Sequence, residues 1–176
     1  MNKEFNFNQC LKAGKKGEID VINKIIEKYG SEYDIIDVRD KSKYRDIDID
    51  FILKNKKDKS EISIEIKTDF TTYNNFFCEL ISCEERGTEG CWKKTQADYI
   101  LYYFIKKGIL YCLPRVQAVE IACREGWKVG RAYDKVYTKD NQTTTKTSVG
   151  ARVPVSEMLK IIDFKNSFFK KEIEMI

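Results

Sequence analysis

DIDIDFILK (Asp46–Lys54), NKKDKS (Asn55–Ser60) and EISIEIK (Glu61–Lys67) form one continuous run whose reading decides the fold. In the first segment Ile47, Ile49, Phe51 and Leu53 alternate with Asp46, Asp48, Asp50 and Ile52. In the last, Ile62, Ile64 and Ile66 alternate with Glu61, Ser63, Glu65 and Lys67. A period of two belongs to a half-buried strand, and the polar link has turn composition, so the run predicts a β-hairpin. Turning both apolar faces to a core sends Asp46, Asp48, Asp50, Glu61 and Glu65 to the opposite face, where Lys67 is read as their counter-charge. Like charges set across a sheet repel. Five acids against one lysine therefore ask for a divalent cation; the alternative is a fully solvated sheet face.

Working outward, GEIDVINKIIEKY (Gly17–Tyr29) has Val21, Ile22, Ile25 and Ile26 at helical spacing and Gly30 as a stop. Glu18 falls on or beside that apolar stripe, where a carboxylate needs a partner or a purpose. Tyr33–Arg39 is a short strand candidate and Asn75–Ser82 a further strand interrupted by Glu79. Tyr99–Ile105 and Ile109–Leu113 read as strands joined at Lys106-Lys107-Gly108, with Asp98 at the mouth of the first. Pro114 opens a helix ending at Gly126, Trp127–Tyr137 reads as a strand, and Ser156 as the cap of a helix over 157–162. TKDNQTTTKTSVGAR (Thr138–Arg152) has no apolar period and reads as a loop.

The chain has 176 residues, which suits one domain over 1–176, with a core about 14–125 and a basic loop and C-terminal extension about 126–176. It contains no His, which excludes imidazole-based nucleophile pairs and His-bearing zinc sites and leaves carboxylates, Lys, Tyr and Cys for chemistry. Lys and Arg number 32 against 28 acids, and the whole excess of +4 lies between Gly126 and Val155, among Lys128, Arg131, Lys135, Lys139, Lys146 and Arg152. Such asymmetry suits a polyanionic partner or a solvated loop. The N-terminus lacks the apolar core of a signal peptide, and no run of about 18 apolar residues exists, so a soluble cytoplasmic protein with no membrane partner is expected. The six Cys are expected to be reduced; Cys78, Cys83 and Cys91 have neither the spacing nor the His of a zinc site.

A helix with Glu18, a strand with Asp50 in RDIDIDFILK, and a strand with Glu65-Ile66-Lys67 in ISIEIKTDF together resemble the PD-(D/E)XK nuclease superfamily, over residues 14 to 70 and more loosely to 113. The Pro-Asp pair of the family's name is absent. The resemblance implies an α/β restriction-endonuclease-like core, a central mixed β-sheet flanked by helices in the order α-β-β-β-α-β. It implies a Mg²⁺-dependent endodeoxyribonuclease, with Mn²⁺ able to substitute, similar to phage-type or Holliday-junction-resolvase-like members and encoded by a phage or mobile element. Asp50, Glu65 and the carbonyl of Ile66 would be metal ligands, with Asp48 in reserve; Lys67 would orient the attacking water, and Glu18 would hold a second metal or its water. A homodimer follows by analogy with enzymes that cut two strands. The other reading of the same fold is an inactive nucleic-acid-binding or protein-interaction module.

Further along, TDFTTYNNFFCELIS and WKKTQADYILYYF are similar to phage-type nuclease-like proteins, which implies Glu79, Thr95 and Asp98 as secondary site residues. Glu79 reads equally as a rim carboxylate or partner of Lys67, and Asp98 as a strand-start residue. Lys93 and Lys94 either touch phosphate or are solvated. Lys139, Lys146 and Arg152, among Thr and Ser hydroxyls, suit backbone contacts to DNA without reading bases. Trp127, Tyr133 and Tyr137 either stack on bases or belong to the core.

Overall fold

The hairpin forms: Phe51 pairs with Ile64 and Leu53 with Ile62, antiparallel. The computed structural model describes residues 7–137, 143–165 and 167–175, with side chains except at 7–13, 133–137 and 143–145. Around the hairpin, β1 (Tyr33–Asp37), β2 (Phe51–Asn55) and β3 (Glu61–Asp69) form an antiparallel meander. A second sheet is built from β4 (Asn75–Cys83) and β5 (Thr88–Glu89) together with β8 (Lys128–Tyr137) and β9 (Thr143–Pro154), in the order β5-β4-β9-β8. The first sheet continues through β6 (Tyr99–Phe104), β7 (Ile109–Pro114) and β10 (Glu172–Glu174), in the order β1-β2-β3-β6-β7-β10. β3 and β6 run parallel and the other pairs are antiparallel. The helices are α1 (Phe7–Tyr29), α2 (Ser42–Arg45), α3 (Cys91–Lys94), α4 (Arg115–Ala122) and α5 (Val155–Ile161).

This is a single mixed α/β domain in three layers. On one face of the first sheet, Val21 and Ile25 of α1 pack with Phe51, Leu53, Ile64, Ile66, Leu101 and Tyr103. On the other, Ile100, Tyr102 and Phe104 meet Phe76 and Cys78 of β4, Val153 of β9, Trp92 of α3 and Ile121 of α4. Fully burying each such side chain contributes about 1.5–3 kcal/mol. Strand alternation then decides where charge goes: with Ile64 and Ile66 under α1, Glu65 and Lys67 must face the second sheet. No helix among the described residues is long and apolar enough to cross a membrane.

Several expectations are corrected. β2 begins at Phe51, not Asp46, because Ser42–Arg45 makes a helical turn capped by Asp46, and Asp48 adopts a left-handed φ of 45°. That reversal ends the alternation, so Ile47 and Ile49 pack with Val38, Ile52 and Ala97 instead of beside Phe51 and Leu53. The acid face has a second lysine, Lys54, whose ammonium lies 2.8 Å from Glu61. α1 starts ten residues before Gly17; Gly17 is interior because the helix crosses β3 so closely that a Cβ there would stand 2.5 Å from Thr68 Cγ2. The Asn75–Ser82 strand leaves the first sheet for the second, so β4, β5 and the single turn of α3 occupy the connection from β3 to β6.

Thr143–Pro154, of which Thr143–Arg152 falls in the expected loop, is a twelve-residue strand paired with β8 from Thr143 to Arg152 and with β4 from Val149 to Pro154. Its β-branched Thr run suits a pleated surface without needing apolar alternation. α4 stops at Ala122, short of Gly126, and Ser156 lies inside α5, whose N-cap position is Pro154. The β6–β7 hairpin forms at the expected turn, where Gly108 takes a φ of 63°.

Candidate functional site

Asp50 is held from three directions, twice through its backbone and once through its carboxylate. Its N–H donates to Ile64 O (2.9 Å), its carbonyl accepts from Val38 N–H (3.0 Å), and its Oδ2 accepts from Ile66 N–H (2.8 Å). Among the described residues no hydrogen bond reaches Oδ1. One strand over, Glu65 is 4 % exposed, with Oε1 2.7 Å from Lys67 Nζ. Burial pushes the Glu65 carboxyl up to about 8; Lys67 opposes the rise, while Asp50 and Asp48 add to it. For Lys67, burial acts to lower the pKa, while Cys91, ionised only at high pH, together with Glu65 and Asp50 shifts it up, so the ammonium is charged at neutral pH.

Cys91, at the start of α3, is the residue that sequence spacing missed. Burial pushes its thiol up to about 12, against the pull of Lys67 and with Glu79 and Glu65 reinforcing the rise, so it is a neutral thiol at physiological pH. Glu79 of β4 lies near enough to Cys91 to act on it electrostatically. Nothing in sequence spacing announces this, because Cys91 arrives from the connection between β3 and β6. Asp69 was missed as well: it follows Glu65 and Lys67 on the same strand face and accepts from Tyr102 Oη (3.0 Å) and Thr71 N–H (2.6 Å).

Asp48 joins the group from the loop before β2. Its Oδ1 lies 3.0 Å from Lys94 Nζ, and its carbonyl accepts from the buried Thr95 hydroxyl at 2.8 Å. Thr95 thus positions the loop. Asp98 has a structural task at the head of β6, accepting from both Ser63 N–H (2.8 Å) and Ser63 Oγ (2.7 Å). Glu18 is not brought to this face. Its carboxylate pairs with Arg39, which also binds Asp37 and stacks 4.8 Å over Phe51 on the α1 side of the sheet.

The basic segment is spread over β8 and β9. Arg152 is exposed and stands in register with Lys128 and Phe77; Lys146 stands opposite Asp134. Part of the ribbon is occupied from within: Arg131 pairs with Glu84, and Glu85 accepts from Thr147 Oγ1 (2.6 Å) and N–H (3.1 Å). Lys93 is exposed, and Lys139 lies outside the described residues. Tyr133 and Tyr137 lie where side chains are not described, while Trp127 donates from Nε1 to Ile121 O (2.7 Å) and packs against the core. Cys78, Cys83, Cys91, Cys112 and Cys123 are free thiols.

Asp48, Asp50 and Glu65 supply hard oxygen donors of the type that Mg²⁺ prefers, and the buried Glu65 lacks full compensation for its charge. Among the described residues, no three His, Cys, Asp or Glu groups form a cluster that could hold a metal ion. The donor chemistry fits a divalent cation, with Asp50 and Glu65 as the pair that would hold it. Compared with known proteins, the chain matches no family model, no curated protein and no solved structure.

Proposed function

We propose that the protein is a metal-dependent nuclease of the PD-(D/E)XK type, hydrolysing phosphodiester bonds in DNA at Asp50, Glu65 and Lys67. The observation that carries the reading is a buried carboxylate, Glu65, beside a charged lysine two residues on, with the anchored Asp50 just ahead of the adjoining strand β2. Further support comes from the order of the first sheet: a helix, an antiparallel meander, then a strand parallel to β3.

In this reading Asp50 and Glu65 would hold Mg²⁺, or Mn²⁺ in its place, and the ion would supply neutralisation of phosphate charge and acidification of water. Asp50 is pre-positioned by the Ile66 amide, so little reorganisation accompanies binding. Glu65, a carboxyl lifted to about 8, would have to release its proton to solvent to act as a ligand. Lys67, relieved of its bond to Glu65 Oε1, turns its Nζ–H groups toward the attacking water and the phosphate oxygen. The ribbon of β8 and β9, with Lys146 and Arg152, grips the backbone, and two copies of the chain act on two strands.

A panel of plasmid, single-stranded and four-way-junction DNA tests the reading. Cleavage is expected with Mg²⁺ or Mn²⁺, absent with EDTA, and lost in Asp50→Asn. The pairing of Glu65 with Lys67 and of Asp48 with Lys94 within the chain favours a second reading, an inactive nucleic-acid-binding module. EDTA-insensitive binding without cleavage of any substrate decides for it.

A further inference from the structure

Two lysines stand at the acid group, and they differ in how firmly they are committed. Lys67 is tied to Glu65, which is 4 % exposed. Lys94 reaches Asp48 of the group, its Nζ between Asp48 Oδ1 (3.0 Å) and Arg45 O (3.2 Å). Its side chain is 40 % exposed and that of Asp48 23 %, and a pair this open to water is weak and exchangeable. The neighbouring Lys93 is also exposed but touches none of the acids through any described hydrogen bond or ion pair.

The loop that carries Asp48 is fixed with unusual care. Asp48 is one of two described non-glycine residues with positive φ; the other, Lys59, sits in the β2–β3 turn. Asp adopts the left-handed region more readily than most residues, and here hydrogen bonds fix it there. The loop is held on one side by the α2 turn, Asp48 N–H donating to Arg45 O (3.3 Å) and Ile49 N–H to Tyr44 O (3.0 Å), and on the other by the segment that carries Lys94: Thr95 Oγ1 donates to Asp48 O (2.8 Å), Gln96 N–H to Ile47 O (2.9 Å), and Thr95 Oγ1 is itself fixed by Ala97 N–H (3.1 Å). Asp48 is also close enough to Glu65 to raise its pKa. The clamp therefore fixes Lys94 relative to the acid group, while leaving its ammonium bound only to a partly exposed carboxylate and a carbonyl.

Resting on the nuclease reading of the same site, we infer that Lys94 is the substrate-phosphate contact, with Asp48 as its positioning residue. Asp48 holds the ammonium at the mouth of the site in the free protein. An entering phosphodiester takes its place, and Lys94 moves from a carboxylate oxygen to a phosphate oxygen. Lys93, one residue away and outside the clamp, makes no such contact.

Metal-free binding of a fluorescein-labelled DNA duplex, followed by anisotropy across a salt series, tests this apart from catalysis. Lys94→Ala is expected to weaken binding about five- to tenfold at low salt and to reduce the slope of log affinity against log salt by about one. Lys94→Arg should keep the slope, and Lys93→Ala should stay within about twofold of wild type. Asp48→Asn, which keeps an acceptor oxygen but removes the competing charge, should bind more tightly, and the gain should vanish in the Asp48→Asn/Lys94→Ala double variant. Wild-type affinity and slope in Lys94→Ala, equal losses in the Lys93 and Lys94 variants, or no binding of duplex by the wild-type protein would each overturn the assignment. A protein that binds in the expected pattern but cleaves nothing overturns the nuclease reading and leaves the phosphate contact standing.

Discussion

Glu65, on the covered face of β3, and Glu85, on the exposed turn after β4, carry the same carboxyl group in opposite circumstances. Burial lifts Glu65 to about 8, with one lysine working against the rise. Glu85 is held down to about 2 by the Thr147 hydroxyl and amide, which donate to its charged form. One carboxyl sits where its surroundings do not compensate a charge, so it keeps its proton; the other is settled as an anion within the chain. The contrast separates two charged regions that look equally promising in sequence. The acid face of β2 and β3 has unsatisfied chemistry, whereas part of the β8–β9 ribbon is already engaged by Glu84 and Glu85.

The largest effect that sharpens this contrast is on catalysis. Glu65→Gln replaces the carboxyl by a neutral side chain close in shape to the protonated form, so the fold should persist while Mg²⁺-dependent cleavage falls by about a hundredfold or more. An unchanged rate in this variant removes Glu65 from the site.

Next in size is the pH dependence of stability. Because the Glu65 pKa is higher in the folded protein than its ordinary 4.5, the folded state keeps a proton that the unfolded state loses between about 4.5 and about 8. Stability from this group is complete below that window and declines as pH rises through it, at up to about 1.4 kcal/mol per pH unit. Denaturant melts across the window should show the decline in wild type and a flatter profile in Glu65→Gln. Parallel profiles would mean that Glu65 titrates as an ordinary acid.

A smaller loss is expected where α1 crosses β3. A Cβ at Gly17 meets Thr68, so Gly17→Ala should destabilise by about 1–2 kcal/mol, even though Ala favours helix by nearly 1 kcal/mol. Thr68→Ala in the same chain should recover part of the loss, as read by chemical denaturation. The smallest effect belongs to the exposed carboxylate. With its pKa below the ordinary value, Glu85 contributes stability that is present above about 4.5 and fades as pH falls through about 2. Acid titration of Glu85→Gln should lose only that shallow limb, and an unaltered acid limb would argue against the Thr147 bond.

Period-two patterning made the β2–β3 and β6–β7 hairpins readable, because each strand has one buried face and a turn of the right composition. It also put Asp50, Glu65 and Lys67 on a common face. The same rule misled at Asp46–Asp50, where alternating Ile and Asp continue through a helical turn and a left-handed residue. β9 was unreadable because its Thr residues gain their place from pairing with β8 and β4, not from an apolar face of their own. Long-range partners were hidden for a related reason. Cys91 and the Lys94–Thr95 clamp reach the site through the connection from β3 to β6, and Glu18 was diverted by Arg39, a charge on a loop with no spacing signal.

The most direct test of the central claim is the nicking of supercoiled plasmid in Mg²⁺ by wild type and Lys67→Gln, with circular dichroism showing that both are folded. The account predicts that wild type converts supercoiled to relaxed DNA, that EDTA stops it, and that Lys67→Gln leaves the plasmid intact. Equal nicking by the two proteins, or none by wild type with either Mg²⁺ or Mn²⁺, would contradict it.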